Sequence, residues 1–136
     1  MMNYLLDTHA LIWFMLDSPS MSPTAKEILM NGKNRRFISI ASVWEMAIKV
    51  QIGKLKFDEP YSSFLPKQME RHQVSVLQIT TAHAVGASEL PFALFENGQE
   101  HRDPFDRIIV LQSKLEAIPL ISNEEIFDKY GISRVW

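Results

Sequence analysis

The sequence predicts an α/β fold built on a parallel sheet with helices on both faces. Short apolar runs with strand character alternate with stretches of helical spacing along almost the whole chain. Such alternation is typical of units in which two parallel strands are joined through a helix. The chain has 136 residues, 46% of them hydrophobic, which is enough for one domain with a real core. We therefore expect a single domain over residues 1–136.

The N-terminal part predicts a strand followed by two helices. Residues 3–6 (NYLL) form an apolar run that ends at Asp7, and the following residues 8–16 have helical spacing. The prolines of the SPSMSP segment interrupt this pattern and introduce a second helix over residues 24–30. Asn31-Gly32 then closes that helix.

The next segment predicts a second strand and a long helix. Residues 37–40 (FISI) have β character, after which Ser42 is placed to cap a helix that reaches Val50. Ser42 and Glu45 have the spacing of a capping box, in which each side chain bonds the other residue's backbone. Gly53 is predicted to stop the helix.

The remaining chain continues the alternation. We expect strands at residues 74–79, 119–122 and 133–136, and helices at 61–72, from Thr80 or Thr81 to Glu89, from Pro104 to Glu116, and at 123–131. Residues 91–101 form the longest irregular piece.

Acidic residues fall where predicted strands end or predicted helices begin. These residues are Asp7, Glu45, Asp103, Asp106 and Glu124. Because the carboxyl ends of parallel strands face one crevice, acids at these places converge. Convergent carboxylates repel one another unless a cation neutralises them, and an all-oxygen site suits Mg²⁺ or Mn²⁺ better than zinc. The pattern predicts a divalent-metal site.

Two of these acids also have simpler explanations. Asp7 precedes a predicted helix, where aspartate is a common N-cap. Glu45 lies four positions before Lys49, so an ion pair on an exposed helix face together with the capping box explains it without any chemistry. The apolar neighbours of Glu45 favour instead a carboxylate held in a largely apolar setting.

The other three acids open predicted helices, where the helix dipole favours negative charge. Asp103 and Asp106 share a face of one first turn, and Asp106 precedes a run of apolar residues that is typical of a buried helix. Asp103 is therefore placed either as a ligand or as an outer partner of the ligands. Glu124 follows Ser122, a plausible cap. Four separate strand-to-helix junctions carry an acid. One metal site explains all four together, whereas the simpler explanations must apply at each junction separately, and this favours the metal site.

Other polar and aromatic residues are less specific. His9 and His101 flank the acids and are either substrate contacts or ordinary polar positions. The three tryptophans, Trp13, Trp44 and Trp136, are interpreted as core or dimer-interface residues rather than base-stacking platforms. Five basic residues are placed either to bind a phosphate backbone or to form a solvated rim: Lys49, Lys54, Lys56, Arg102 and Arg107.

Composition excludes several classes of function. There is no cysteine, so there is no disulfide framework, thiolate zinc site or cysteine nucleophile. Neither a GxGxxG nor a GxxxxGK[ST] motif occurs, which argues against dinucleotide and P-loop nucleotide binding. No apolar run is long enough to cross a bilayer. With 14 basic and 16 acidic residues, the charge balance neither requires nor excludes nucleic acid. We expect an unprocessed cytoplasmic protein.

Four blocks of the sequence, in this order, resemble the PIN-domain family, specifically the VapC-type toxins of bacterial toxin–antitoxin modules. The blocks are LLDTHALIW, SIASVWEMAIKVQIGKL, HRDPFDRIIVLQ and PLISNEEIFDKYGISRVW. The resemblance implies a three-layer α/β/α fold with a central parallel sheet and a Mg²⁺- or Mn²⁺-dependent endoribonuclease site. It also implies an RNA substrate, a VapB-like antitoxin and a homodimer.

The resemblance assigns the site residue by residue. Asp7 matches the acid after the first strand, Glu45 the acid of the S-x-x-E helix, Asp106 the acid that opens the late helix, and Asp103 the additional acid of the DPFD version. Glu124 departs from the pattern, since many relatives carry aspartate there; its longer side chain either reaches a metal or leaves three main ligands. Two alternatives stay open: an RNA-processing nuclease of the same fold without an antitoxin, and a catalytically inactive interaction domain.

Overall fold

The computed structural model describes all 136 residues and contains one five-stranded sheet. Its strands are β1 (Asn3–Leu6), β2 (Arg35–Ser39), β3 (Val74–Leu77), β4 (Leu120–Ile121) and β5 (Arg134–Val135). Every pair of neighbouring strands is parallel, and the order across the sheet is β3-β2-β1-β4-β5. The parallel α/β fold predicted from the sequence is confirmed, with β1 at its centre.

Seven helices connect the strands. They are α1 (Thr8–Met15), α2 (Pro23–Met30), α3 (Ile40–Gln51), α4 (Tyr61–Arg71), α5 (Thr81–Gly86), α6 (Pro104–Glu116) and a 3₁₀ helix (Glu125–Tyr130). Between α5 and α6 the chain is irregular, apart from an antiparallel bridge that joins Leu94 to Glu100. None of these helices combines the length and the apolar character that a membrane span requires.

Alternation along β1 divides the core between the two faces of the sheet. Tyr4 and Leu6 point to the face that packs against α1, α2 and α4, while Leu5 points to the face covered by α6 and the 3₁₀ helix. This follows from the period of two in a strand. Residues 4–6 of β1 are buried and form an uninterrupted apolar run, as is usual in a parallel strand covered on both faces, whereas Asn3 at its start is exposed. The result is the expected three-layer α/β/α arrangement.

The start of α3 differs from the prediction. β2 ends at Ser39, and Ile40, which was expected in the strand, opens the helix. Ser39 is the N-cap, accepting a hydrogen bond from the backbone N–H of Ala41 at 3.0 Å. The predicted capping box of Ser42 and Glu45 is therefore wrong, because Ser42 is the third residue of the helix and lies within its first turn.

The end of α3 agrees with the prediction. Gly53 has a φ of +76°, and the N–H of Lys54 bonds the carbonyl of Lys49 at 2.8 Å. A left-handed residue just past a helix end favours glycine, which has no Cβ to clash. Gly53 therefore stops the helix as expected.

Three other boundaries are shorter or tighter than predicted. β3 ends at Leu77 rather than residue 79, and α5 ends at Gly86 rather than Glu89. From Gly86 to Glu89 the chain continues in turns whose hydrogen bonds join residues three positions apart. The final helix is a 3₁₀ helix, the tighter form that short connectors adopt.

The cap at Ser39 has a measurable consequence. We expect Ser39→Ala to lower the free energy of unfolding by about 1 kcal/mol, because the side-chain oxygen that satisfies the first turn of α3 is lost. Chemical denaturation measures this difference. The matched control is Ser62→Ala on the exposed side of α4, which should change stability by less than about 0.5 kcal/mol. Equal effects of the two changes would contradict the assignment of the cap.

Candidate active site

The carboxyl ends of the central strands open into a polar crevice of about 90 Å³. Its lining contains no hydrophobic residue and consists of Asp7, Thr8, His9, Glu45, Lys49, Asp103, Asp106 and Glu124. All five acids singled out from the sequence are among these residues. The structure therefore brings together side chains that lie up to 117 positions apart in the chain, between Asp7 and Glu124.

The topology explains this convergence. Asp7 follows β1, and its N–H bonds the carbonyl of Ile121 on neighbouring β4 at 3.0 Å. The chain leaving β4 reaches Glu124 on that side, and the chain leaving β2 enters α3, which carries Glu45 on the other side. The crevice thus lies at the carboxyl edge of the sheet, where open α/β folds place their sites.

Asp7 is both a helix cap and a wall of the crevice. One carboxylate oxygen accepts the N–H of Ala10 at 2.7 Å, and the other accepts the hydroxyl of Ser122. The side chain is almost completely buried, and this burial raises the pKa of Asp7 to about 6. The expected helix cap is confirmed, and the same side chain lines the crevice, where its role as a metal ligand stays a prediction.

Glu45 is buried among polar partners. Its carboxylate accepts the hydroxyl of Thr8 at 2.6 Å and lies 3.0 Å from the ammonium of Lys49. The expected ion pair with Lys49 is present, but it lines the crevice instead of an exposed helix face. The expected burial of Glu45 is confirmed, but the expected apolar setting is wrong, because polar side chains surround its carboxylate and the neighbouring Trp44 points outward, 64% exposed.

Asp103 and Asp106 share the first turn of α6 but have different roles. Asp103 is exposed and caps the helix, accepting the N–H groups of Phe105 and Asp106 at 2.9 and 3.1 Å. Asp106 is more enclosed, and its Oδ2 lies 2.9 Å from Nε2 of His101. Burial, followed by the charges of Asp103 and the other acids, raises the pKa of Asp106 to about 8. Among the crevice acids, Asp106 has the pKa that is raised furthest, so its ionised form is the least favoured.

Glu124 stands at the edge of the crevice beside His9. Its Oε1 lies 3.5 Å from Nδ1 of the imidazole, and this contact lowers the pKa of Glu124 and raises that of His9. The backbone N–H of Glu124 bonds the hydroxyl oxygen of Ser122 at 3.0 Å. Ser122 thus connects Glu124 to Asp7. The expectation that Ser122 caps the last helix is wrong, because Glu124 is the N-cap residue of the 3₁₀ helix and no side chain caps it.

The oxygen atoms of the crevice acids are the type of ligand that a hard divalent cation prefers. The acids supply carboxylate oxygens without any thiolate, and the raised pKa of Asp106 is a cost that a positive charge would relieve. In these side-chain conformations no three histidine or acidic groups are arranged to hold a metal ion. Each acid instead contacts a nearby protein partner, so an ion would bind through carboxylate oxygens that these contacts leave free or after some of the side chains turn.

The basic residues flanking the acids are not a uniform rim. Arg107 is buried and donates to the carbonyls of Leu90 and Pro91 at 2.7 and 3.3 Å. It is therefore a structural residue, neither a phosphate contact nor a solvated charge. Arg102 is exposed and pairs with Glu100. Lys54 and Lys56 are also exposed, so Lys49 is the one cation of the five that lines the crevice.

The tryptophans occupy two different environments. Trp13 and Trp136 pack against each other at 5.7 Å between ring centroids and border the core on the face of the sheet covered by α1, α2 and α4, as expected for core residues. Trp44 is outside the core and meets Phe105 edge to face at 5.5 Å. The core interpretation is wrong for Trp44, and its dimer-interface interpretation stays a prediction.

Sequence reasoning missed the partners that hold the acids. Thr8, Ser122 and the buried pair of His101 and Tyr130 all bond crevice acids or each other. Thr8 directly follows Asp7, which was a signal that could have been used. Tyr130 lies 29 positions from His101 in the sequence, and no local pattern indicates a contact between residues so far apart.

Comparison with protein families finds a match to the PIN domain over residues 4–132. A curated relative, Ribonuclease VapC16 of Mycobacterium tuberculosis (strain ATCC 25618 / H37Rv), is 38% identical over 58 residues. That match covers 43% of this chain and 41% of the relative, so it spans well under half the length of each.

Solved structures with similar folds match nearly the whole chain. VapBC2 from Rickettsia felis, bound to a DNA fragment from its promoter, gives a TM-score of 0.68 at 18% identity, covering 98% of both chains. VapBC-1 from nontypeable Haemophilus influenzae gives 0.66 at 18% identity, covering 98% of this chain and 97% of the other. FitAcB from Neisseria gonorrhoeae gives 0.61 at 15% identity, covering 98% and 96%. At these identities the likeness concerns the fold.

Proposed function

Since the chain belongs to the PIN domain family, we propose that it is a divalent-metal-dependent endoribonuclease and the toxin of a VapBC-like toxin–antitoxin module. The observation that carries this proposal is the convergence of five acids on one polar crevice at the carboxyl edge of the sheet. The partial match to a ribonuclease and the fold shared with toxin–antitoxin structures support the same assignment. On this proposal the protein acts as a homodimer that a VapB-like antitoxin blocks.

The crevice residues divide into three roles in this proposal. Asp7, Glu45 and Asp106 would hold Mg²⁺ or Mn²⁺, with Asp103 and Glu124 at the edge as further ligands or as partners through water. When bound, the cation would activate a water molecule and neutralise charge on the phosphate. A carboxylate of the crevice takes the proton of the attacking water as its oxygen bonds to phosphorus, and a solvent water protonates the leaving oxygen as its bond to phosphorus breaks. The hydroxyls of Thr8 and Ser122 orient the carboxylates of Glu45 and Asp7 by hydrogen bonds.

Cleavage of RNA by the purified chain tests this function. A structured RNA pool is incubated with Mn²⁺ or Mg²⁺, beside a sample with EDTA, and the cut positions are mapped. We expect fragments that depend on the metal and are lost in Asp7→Asn, with cuts in accessible single-stranded or loop segments. The matched control is Asp58→Asn, an exposed aspartate outside the crevice. Absence of cleavage with every cation would favour an inactive interaction domain.

The toxin role has a separate test in cells. Expression of the wild-type chain is expected to arrest growth, whereas Asp7→Asn is not, and the product of a small neighbouring gene should relieve the arrest. Cleavage in vitro without any arrest or antitoxin would instead indicate an RNA-processing nuclease of the same fold.

Lys49 provides a test of substrate binding. Because its ammonium lies in the crevice beside Glu45, it is placed to contact a phosphate once that carboxylate faces a cation. We expect Lys49→Met to raise KM for RNA about fivefold, with a smaller change in kcat. Steady-state cleavage of a short fluorescent RNA measures both constants. Lys54→Met, on an exposed lysine outside the crevice, should leave KM unchanged, and equal effects would exclude the contact.

A further inference from the structure

A buried histidine connects the crevice to the irregular segment between α5 and α6. His101 is 3% exposed and has both ring nitrogens engaged, Nε2 with Asp106 Oδ2 at 2.9 Å and Nδ1 with the hydroxyl of Tyr130 at 2.8 Å. His101 does not line the crevice, so it cannot serve there as a ligand or as a proton carrier to substrate. Its contacts act on Asp106.

The hydrogen bonds around Tyr130 determine which nitrogen of His101 carries the proton. The phenolic oxygen accepts two N–H groups, from Ala93 and from Arg107, each at 3.4 Å. Its own proton is then directed to the nearest acceptor, Nδ1 of His101, because the alternative carbonyl of His101 is 3.5 Å away. Nε2 therefore holds the ring's N–H and donates it to Asp106.

Arg107, which donates to the hydroxyl of Tyr130, is itself held in place. Arg107 donates to the carbonyls of Leu90 and Pro91, and its guanidinium lies 4.2 Å from the centre of the Phe92 ring. Tyr130 is itself 6% exposed and belongs to the core on the face of the sheet covered by α6 and the 3₁₀ helix. The imidazole therefore has little freedom to turn.

The bond from His101 leaves Asp106 with one oxygen free. Oδ2 is occupied by the imidazole, whereas Oδ1 has no hydrogen bond within the protein and belongs to a side chain that lines the crevice. Fixing one oxygen of a carboxylate orients the other. Hydrogen-bond partners of this kind orient metal ligands and change the affinity for the metal.

We propose that His101 is a positioning residue, which together with Tyr130 holds the Asp106 carboxylate so that Oδ1 faces the cation in the crevice. This inference rests on the proposed function and extends it to a residue outside the crevice. The fold provides a comparison within the same chain. His83 is also buried, and its Nε2 lies 2.9 Å from Glu116 at the far end of α6, about 15 Å along the helix at 1.5 Å per residue.

Calorimetric titration of Mn²⁺ into the full chain tests the inference without any substrate. We expect His101→Met to weaken Mn²⁺ binding about tenfold, because the donor to Oδ2 is lost and the carboxylate can turn. His101→Gln keeps an N–H at the position of Nε2 and should recover most of the affinity. Tyr130→Phe keeps the ring in the core, removes the hydroxyl that sets the tautomer, and should fall between these two variants.

The control separates positioning from stability. His83→Met removes a comparably buried histidine and its contact with the more exposed carboxylate of Glu116, and it should destabilise the fold without changing Mn²⁺ affinity. If His101→Met does not fold, the comparison of Tyr130→Phe with wild type decides. Equal Mn²⁺ affinity of wild type, His101→Met and Tyr130→Phe would overturn the inference, whereas a wild-type chain that binds no Mn²⁺ overturns the proposed function beneath it.

Discussion

Replacing Asp106 by asparagine is expected to lower metal-dependent RNA cleavage by at least about 100-fold while the fold stays intact. The amide has the shape of the carboxylate, and its oxygen can still accept the N–H of His101. What it lacks is the negative charge that a divalent cation needs. The loss should therefore appear in kcat/KM and in Mn²⁺ affinity, and far-UV circular dichroism should match that of wild type.

Two variants make this result specific. Asp103→Asn changes the exposed cap of α6, whose carboxylate already accepts two backbone N–H groups, and should lower cleavage by about tenfold or less. Asp58→Asn should have no effect. Cleavage by Asp106→Asn within a few-fold of wild type would contradict the assignment of Asp106 as a ligand, provided that the wild-type reaction depends on metal.

Without a cation, the protein is expected to lose stability as the pH rises from 6.5 to 8.5. The pKa of Asp106 is about 8 in the folded chain, above its value of 3.8 when unfolded, so the native state holds its proton more tightly. Stability from such a group is full below the unfolded pKa and disappears as pH passes the folded pKa. At 1.36 kcal/mol per unit, about 1.5 units of this range correspond to a loss of about 2 kcal/mol.

Other groups do not reverse this trend in that range. Asp7 completes most of its titration near its pKa of about 6, and His9, whose pKa is raised by Glu124, loses stability in the same direction. His72 and His101, whose pKa values are lowered mainly by burial, act in the opposite direction, because the unfolded imidazole loses its remaining charge above pH 6.5. Each adds at most about 0.4 kcal/mol of stability over this range, which is less than the loss from Asp106.

Urea denaturation in EDTA at several pH values measures this dependence. Asp106→Asn should flatten the curve above pH 6.5 and be more stable than wild type at pH 8.5, whereas saturating Mn²⁺ should stabilise wild type most at high pH. If the stability of the metal-free wild-type chain is constant or rises from pH 6.5 to 8.5, the raised pKa of Asp106 in the folded chain is refuted.

Local patterns in the sequence were sufficient for the order of the elements and for the place of the acids. The apolar run before Asp7 and the helical spacing after Asp106 are short-range signals, and the parallel topology then requires the two junctions to meet at one edge of the sheet. The carboxylate-lined crevice followed from these elements without knowledge of any side-chain contact.

Features that depend on distant contacts could not be predicted. Ser39 and Ser42 are both suitable caps, and the choice between them depends on where β2 stops pairing with β1, beside Leu6 and Ile38. Arg107 has the character of a surface charge until carbonyls 16 and 17 positions away enclose it. Nothing in the chain near His101 indicates that Tyr130 will set its tautomer.

The location of a bound cation tests the central claim most directly. Crystals of the wild-type chain soaked in Mn²⁺ should show an anomalous difference peak in the crevice, within ligand distance of the carboxylates of Asp7, Glu45 and Asp106. The peak should disappear in Asp7→Asn and persist in Asp58→Asn. Saturating Mn²⁺ with no peak between these carboxylates, or with an equal peak in Asp7→Asn, would contradict the assignment of this crevice as a metal centre.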